Sequence, residues 1–274
     1  MRVALCQMPV STKPAVNLSR VQSALTSARE QGSDLAVFPE ATHARFSVDL
    51  RAVAEPLDGP FCAGLSAAAS ASGVALAAGI FEQAPDNRVY NTTVAYDQDG
   101  RLVAAYRKIH LFDALGTRES ETIAPGSEPV LADLAGITVG FLTCYDVRFP
   151  ELARDLTVRG ADLLVIPAAW AAGLFKEEHW VTLVRARAIE NTVWVAAADQ
   201  VPDPHEPATS APTGVGRSLL VDPMGAVRMD LGSSPGVVAG TVDREMTERV
   251  RTVLPSLQHR RPEVFAPTHE TVSA

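Results

Sequence analysis

Long apolar runs are absent from this chain. Although 47% of its 274 residues are hydrophobic, no stretch approaches the roughly 18 apolar residues that a membrane span requires. The opening segment Met1-Arg2-Val3-Ala4-Leu5-Cys6-Gln7-Met8-Pro9 has too short an apolar run for a secretory signal. Cysteine is scarce: the 3 residues Cys6, Cys62 and Cys144 are odd in number and widely spaced. They do not form a disulfide framework, and they fit a reducing, cytoplasmic setting. Basic clusters are also lacking. Lys and Arg total 24 against 32 Asp and Glu, a net charge of -8, so neither nucleic acid nor an anionic membrane surface is expected as a partner. No His or Cys spacing matches a zinc site, and neither a metal nor another cofactor is expected. What remains is the composition of a soluble globular protein, long enough for one large domain or two small ones.

The pattern of apolar residues organises the chain. Arg2 to Met8 reads as a buried strand. Leu18, Val21, Leu25 and Ala28 repeat at helical spacing, with Gly32 as a stop. Asp34 to Phe38 is a strand pattern. Phe61 to Ser72 reads as an Ala-rich helix that ends at Gly73, before a strand from Val74 to Phe81. Asn91 to Tyr96 and Leu102 to Tyr106 flank Asp99-Gly100, a hairpin signal. Glu151 to Arg159 reads as a helix stopped by Gly160, followed by a strand from Asp162 to Ile166. A helix from about Lys176 to Asn191 leads to a strand from Val193 to Ala198. Val201 to Gly214 holds Pro202, Pro204, Pro207 and Pro212 and reads as a loop with scope to move. Ser218 to Val221 and Ala226 to Met229 flank Asp222-Pro223-Met224-Gly225 as a second hairpin. An extended arm is expected from about residue 255, and no domain boundary shows within 1–274.

One internal echo stands out. Gly32-Ser33-Asp34-Leu35-Ala36-Val37-Phe38-Pro39 parallels Gly160-Ala161-Asp162-Leu163-Leu164-Val165-Ile166-Pro167, and both follow a helix pattern. Two such units imply two similar α/β halves. Periodicity alone does not separate that arrangement from a doubly wound sheet.

Three strand patterns end in residues able to do chemistry. Cys144 follows Gly136-Ile137-Thr138-Val139-Gly140-Phe141-Leu142-Thr143, Glu40 follows Leu35-Ala36-Val37-Phe38-Pro39, and Lys108 follows Val103-Ala104-Ala105-Tyr106-Arg107. A thiolate at a strand end can attack an electrophile while unpaired N–H groups of the next turn hold the oxyanion. A free cysteine is equally at home buried and inert, the role that suits Cys6 and Cys62. Glu40 is either a solvated loop acid or a carboxylate buried beside a thiol, able to carry its proton. Alternation places Arg107 and Lys108 on opposite faces, so at most one of them enters a site.

At these places the sequence resembles the nitrilase superfamily of carbon–nitrogen hydrolases. The motifs are Phe38-Pro39-Glu40-Ala41, Tyr106-Arg107-Lys108-Ile109-His110-Leu111-Phe112-Asp113 and Cys144-Tyr145-Asp146-Val147-Arg148-Phe149-Pro150-Glu151. They occur in the family's order, in a resemblance that runs from about Arg2 to about Pro262. It implies a four-layer αββα sandwich with pseudo-two-fold symmetry and a homodimer or larger assembly. It also implies a thiol amidohydrolase in which Cys144 attacks, Glu40 moves the proton and Lys108 stabilises the oxyanion. A second glutamate belongs in Arg118-Glu119-Ser120-Glu121, and the family pattern favours Glu119 over Glu121. Pro167-Ala168-Ala169-Trp170 through Lys176 is similar to amidases acting on deaminated glutathione and related ω-amides. That resemblance puts Tyr145, Arg148, Trp170, Lys176 and His110 on the substrate side. Arg148 can equally pair with Asp146 or Glu151 as a structural residue. Lys176 starts a helix, where a cation gains nothing from the dipole. Tyr145 and Val147 depart from the D-carbamoylase pattern, which leaves N-carbamoyl amino acids as the alternative substrates. A non-catalytic or redox-sensing protein on the same fold is the other alternative. The expected partner is therefore a small amide bearing a carboxylate.

Overall fold

The structure is a computed structural model that describes residues 1–264. The first half runs β1 (Arg2–Gln7), α1 (Pro14–Glu30), β2 (Leu35–Val37), α2 (Leu50–Val53), α3 (Pro60–Ser72), β3 (Ala75–Gln83), β4 (Val89–Tyr96), β5 (Leu102–Arg107) and β6 (Ile123–Ala124). The second runs β7 (Leu131–Leu134), β8 (Ile137–Phe141), α4 (Pro150–Val158), β9 (Leu163–Ala168), α5 (Lys176–Asn191), β10 (Trp194–Asp199), β11 (Leu219–Val221), β12 (Val227–Asp230), β13 (Gly236–Thr241) and α6 (Arg244–Val253).

The strands form two sheets. One has the order β13-β1-β2-β3-β4-β5 with β6 beside β4; the other has the order β12-β11-β10-β9-β8-β7. The echo in the sequence maps onto this topology. β2 lies parallel between β1 and β3, and β9 lies parallel between β8 and β10. Each echo strand is the centre of a parallel triplet, which is why both are apolar throughout.

Four layers follow from the side-chain alternation of β1. Val3 and Leu5 point into the core shared with Val139, Leu163, Val165 and Val195 of the second sheet. Ala4 and Cys6 point the other way, against Val21 and Leu25 of α1 and Phe61 and Leu65 of α3. On the far side, Leu152 and Leu156 of α4 and Trp180, Val184 and Ala188 of α5 cover the second sheet. The result is an αββα sandwich.

The helix boundaries have local causes. Pro14 and Pro60 stand in the first turns of α1 and α3, where a missing N–H costs no bond. Gly73 ends α3 in the left-handed conformation, at φ 65°. β13 and α6 have no counterpart in the sequence reading: Gly236-Val237-Val238-Ala239-Gly240-Thr241 is too rich in glycine to show alternation, yet it pairs along the whole of β1. The loop with four prolines is held down rather than loose. Arg20 Nη2 donates to Asp203 at 2.8 Å, and Glu206 accepts from Ser11 Oγ at 2.5 Å and Thr12 N at 3.2 Å. Of the expected C-terminal arm, Pro255 to Val264 is mostly exposed and ends in a 3-10 turn; the rest lies outside the described residues. No helix among the described residues is long and apolar enough to cross a membrane.

Candidate active site

Three strand ends converge on one cavity of about 190 Å³. Glu40 comes from the turn after β2, Lys108 directly follows β5, and Cys144 follows β8 after Leu142 and Thr143. All three line the cavity, with Glu119, Tyr145, Trp170, Lys176, Phe112 and Pro212 among its other walls.

The turn at Glu40 is fixed from below. Ala41 adopts φ 53°, and β3 passes so close that a Cβ on Gly79 would lie 2.5 Å from Ala41 N and 2.7 Å from Glu40 Cα. Only glycine permits that approach. Cys144 itself sits at φ 47°, in the left-handed region that a non-glycine residue enters at an energetic cost. A reciprocal pair holds it there: Thr143 N donates to Asp146 Oδ2 at 2.9 Å, and the Thr143 side chain caps the Asp146 N–H. Asp146 is fully buried and also accepts from Tyr106 Oη at 2.6 Å and from His110 N at 3.0 Å. It ties the nucleophile turn to the strand end that carries Lys108. The sequence offered Asp146 only as a candidate partner for Arg148, not as the tie beneath Cys144.

Glu40 is only 1% exposed and accepts three hydrogen bonds. Its Oε1 accepts from Asn91 Nδ2 at 2.7 Å and Lys108 Nζ at 3.0 Å, and its Oε2 accepts from Ala169 N at 2.8 Å. Lys108 also donates to Glu119 Oε1 and Oε2 at 3.0 and 2.9 Å. Glu119 further accepts from Phe112 N at 2.6 Å. Glu121, by contrast, is an exposed acid 3.7 Å from Arg118. Arg107 points away from the cavity to Glu82, as alternation requires.

Charge follows from this geometry. Burial works against the Lys108 ammonium, but Glu119, Glu40 and Cys144 outweigh it and hold its pKa well above the ordinary lysine range. Burial, then Glu40, pushes the Cys144 thiol well above its usual range, against the pull of Lys108 and the Ala169 N–H. Such a thiol favours its protonated form, and a nucleophilic role for it would call for a base. Asp199 is a second residue that sequence reading missed. Burial raises it to about 8, opposed by backbone N–H donors from Trp170, Val215 and Gln200. Those bonds, at 2.8 to 2.9 Å, pin the chain beneath Trp170, while Gln200 Nε2 donates to Glu40 O at 2.7 Å.

The expected substrate-side residues divide. Lys176 is buried, with Nζ 4.5 Å from the Trp170 ring centre and 5.1 Å from that of Phe112. Its own carbonyl accepts from Trp170 Nε1 at 2.7 Å. Burial, then Arg148, lowers its pKa. Arg148 does not line the cavity; its guanidinium lies 5.1 Å from the Trp170 ring, with Nη2 3.4 Å from His179 Nδ1. Nor does it pair with Asp146, whose oxygens are already taken. Neither Lys176 nor Arg148 makes an ion pair among the described residues. His110 also stands outside the cavity wall, stacked 3.7 Å from Phe149 with Nδ1 2.7 Å from Asp146. A contact with substrate expected of His110 gives way to a supporting place behind the nucleophile turn. The described residues contain no group of three His, Cys, Asp or Glu placed to hold a metal ion.

Residues 2–252 match the model of the carbon-nitrogen hydrolase family. A hydrolase of Mycobacterium tuberculosis is 41% identical over 268 residues, 95% of each chain. A deaminated glutathione amidase of Escherichia coli O157:H7 is 35% identical over 271 residues, covering 97% of this chain and 98% of that one. Among solved structures, an amidase from Nesterenkonia sp. AN1 superposes with a TM-score of 0.81 at 27% identity, over 97% of this chain and 98% of that one. That structure is a Glu→Gln variant with acrylamide added to the active-site cysteine.

Proposed function

The chain belongs to the carbon–nitrogen hydrolase family and is an amidohydrolase of the nitrilase superfamily, and we propose that it cleaves small amides carrying a carboxylate, through an acyl-thioester on Cys144. Deaminated glutathione and α-keto ω-amides are the substrates of that class considered first. In this reading Glu40 accepts the Cys144 proton as sulfur attacks the amide carbon. Glu40 and Glu119 hold the Lys108 ammonium at the cavity wall, where its positive charge stabilises the developing oxyanion. Collapse of the tetrahedral intermediate breaks the C–N bond, with Glu40 returning the proton to nitrogen as ammonia leaves. Water then attacks the thioester carbon, its proton passing to Glu40; the C–S bond breaks, Glu40 returns the proton to the Cys144 sulfur, and the acid departs. The single observation that carries this reading is that Glu40, Lys108 and Cys144 line one cavity, with Glu40 and Lys108 hydrogen-bonded to each other.

Lys176 carries the choice of substrate. A buried cation in the cavity wall, between two aromatic faces and without a carboxylate of its own, is matched by an anionic group on the ligand. Arg148, 5.1 Å from the Trp170 ring centre, adds positive potential from behind the same wall. The test is ammonia release across a panel of acidic ω-amides, neutral amides such as propionamide, N-carbamoyl amino acids and nitriles. A higher kcat/KM for the acidic ω-amides is expected. Equal values for neutral and acidic amides would remove the carboxylate pocket, and a preference for N-carbamoyl amino acids would transfer the assignment to that class.

A further inference from the structure

One buried polar side chain at the site takes no part in the proton transfers above. Asn91 lies on β4 opposite Phe81 of β3 and is 1% exposed. Its backbone carbonyl accepts from Lys108 N at 2.9 Å. Its Nδ2 donates to Glu40 Oε1 at 2.7 Å and to Glu119 Oε1 at 3.3 Å. Its Oδ1 is buried with no hydrogen-bond partner among the described residues.

The orientation is dictated by chemistry. Turning the amide over would aim Oδ1 at two carboxylates, so the NH₂ must face them. Those carboxylates share one ammonium, and like charges repel strongly away from water. Both amide protons stand between them. The amide spends its protons on two carboxylates, which an apolar residue of similar size would leave facing each other. A role in packing alone therefore does not account for an amide here.

We propose that Asn91 is a positioning residue for the Cys144 chemistry: its amide fixes the rotation of the Glu40 carboxylate and separates it from Glu119, so that both share Lys108. The proposal rests on the reading of Glu40 as the proton acceptor for Cys144. Through its backbone carbonyl, Asn91 also anchors the strand end from which Lys108 projects.

Asn91→Asp tests the donor directly. It is nearly isosteric, but its carboxyl donates only while protonated. Facing it are Glu40 from the end of β2, Lys108 from the end of β5 and Glu119 from the 3-10 turn Glu119–Glu121. Glu40 in turn acts by charge on Cys144 and Asp199. Ammonia release by Asn91→Asp is expected to fall as pH rises through ionisation of the new carboxyl, and to recover on acidification, which also shows the variant is folded. The loss falls on kcat rather than KM and reaches about ten- to hundred-fold at alkaline pH, the size of one hydrogen bond to a charged group. Asn91→Ser, which cannot ionise, is expected to lose kcat at every pH while keeping its circular dichroism spectrum. Labelling of Cys144 by methyl methanethiosulfonate, which transfers a methylthio group and releases methanesulfinate, followed by mass spectrometry, makes the same comparison without an amide, and both variants are expected to label more slowly. A wild type that labels at Cys144 but hydrolyses no amide refutes the amidase reading alone, and the labelling rates still decide the place of Asn91. Equal labelling in wild type and variants, an Asn91→Asp pH profile parallel to wild type, or wild-type kcat in Asn91→Ser overturns the proposal.

Discussion

Cys6 and Cys144 are both buried thiols, and their surroundings separate them. Burial alone drives the Cys6 thiol far up and leaves it inert, whereas Cys144 faces Glu40, Lys108 and a cavity. Cys144→Ala and Cys144→Ser are therefore expected to abolish ammonia release with the circular dichroism spectrum intact. Cys6→Ala should leave the rate alone and cost about 1 kcal/mol of stability in chemical denaturation. Retention of more than trace activity by Cys144→Ala would refute the nucleophile. Lys176 yields a prediction in pH. Its free-enzyme pKa lies below the ordinary 10.5 because burial and then Arg148 disfavour the charge. A bound carboxylate favours the charged form, so binding of acidic amides must weaken as pH rises through that lowered pKa. KM for an acidic amide is expected to climb on the alkaline side while KM for propionamide stays flat, and Lys176→Met should erase the difference. Parallel KM profiles in the wild type would count against Lys176. Glu40, Lys108 and Cys144 were legible in the sequence because each ends an apolar strand within a recognisable motif. Asn91, Asp146 and Asp199 were not. Their work is done through hydrogen bonds to residues that are mostly remote in the chain, such as Asn91 to Glu40 and Asp199 to Trp170, and no local pattern encodes such a partner.

At the scale of elements, the strand-end turns decide the site. The long helices α1, α3 and α5 and the hairpins were readable from period and punctuation, and α5 falls at Lys176–Asn191 as its pattern indicates, whereas α6 was not read. The turns were not, because their shape depends on what passes beneath them. Gly79 shows this best. In the sequence it is one glycine inside a strand pattern; in the fold it is the point where β3 lets the Glu40 turn through. Gly79→Ala is expected to push Glu40 out of line, lowering kcat and costing about 1–3 kcal/mol of stability. Thermal melting and steady-state kinetics on the same preparation check it. A fall in melting temperature with kcat unchanged would mean that the turn yields without disturbing the carboxylate. The loop from Val201 to Gly214 makes the same point from the other side. Its prolines announce a loop, but the ties to Arg20, Ser11 and Thr12 that hold Pro212 in the cavity wall span most of the chain.

For the whole molecule, the ends of β2 and β5 in one sheet and of β8 in the other line one cavity between the two halves, so that cavity exists only because the sheets pack face to face. The echo between Gly32–Pro39 and Gly160–Pro167 carried the symmetry of those halves in the sequence, while the sandwich rather than a doubly wound sheet came from the family resemblance. The outer face of the second half is less complete. Ile189 of α5, Met224 of the β11–β12 turn, and Val253 and Leu254 at the end of α6 are exposed apolar side chains. Their elements are tied together, since Arg185 Nε donates to Gly225 O at 3.0 Å and Arg251 Nε donates to Thr192 O at 3.2 Å. Exposed apolar side chains on adjoining elements mark an interaction surface, and a self-complementary contact about a two-fold is the commonest way to cover one. Light scattering is therefore expected to give a mass of twice 29.1 kDa or a higher multiple. Met224→Glu with Val253→Glu should shift it toward the monomer, because two new charges would have to be buried against their symmetry mates. A wild type that runs as a clean monomer at micromolar concentration would leave this face without a second copy.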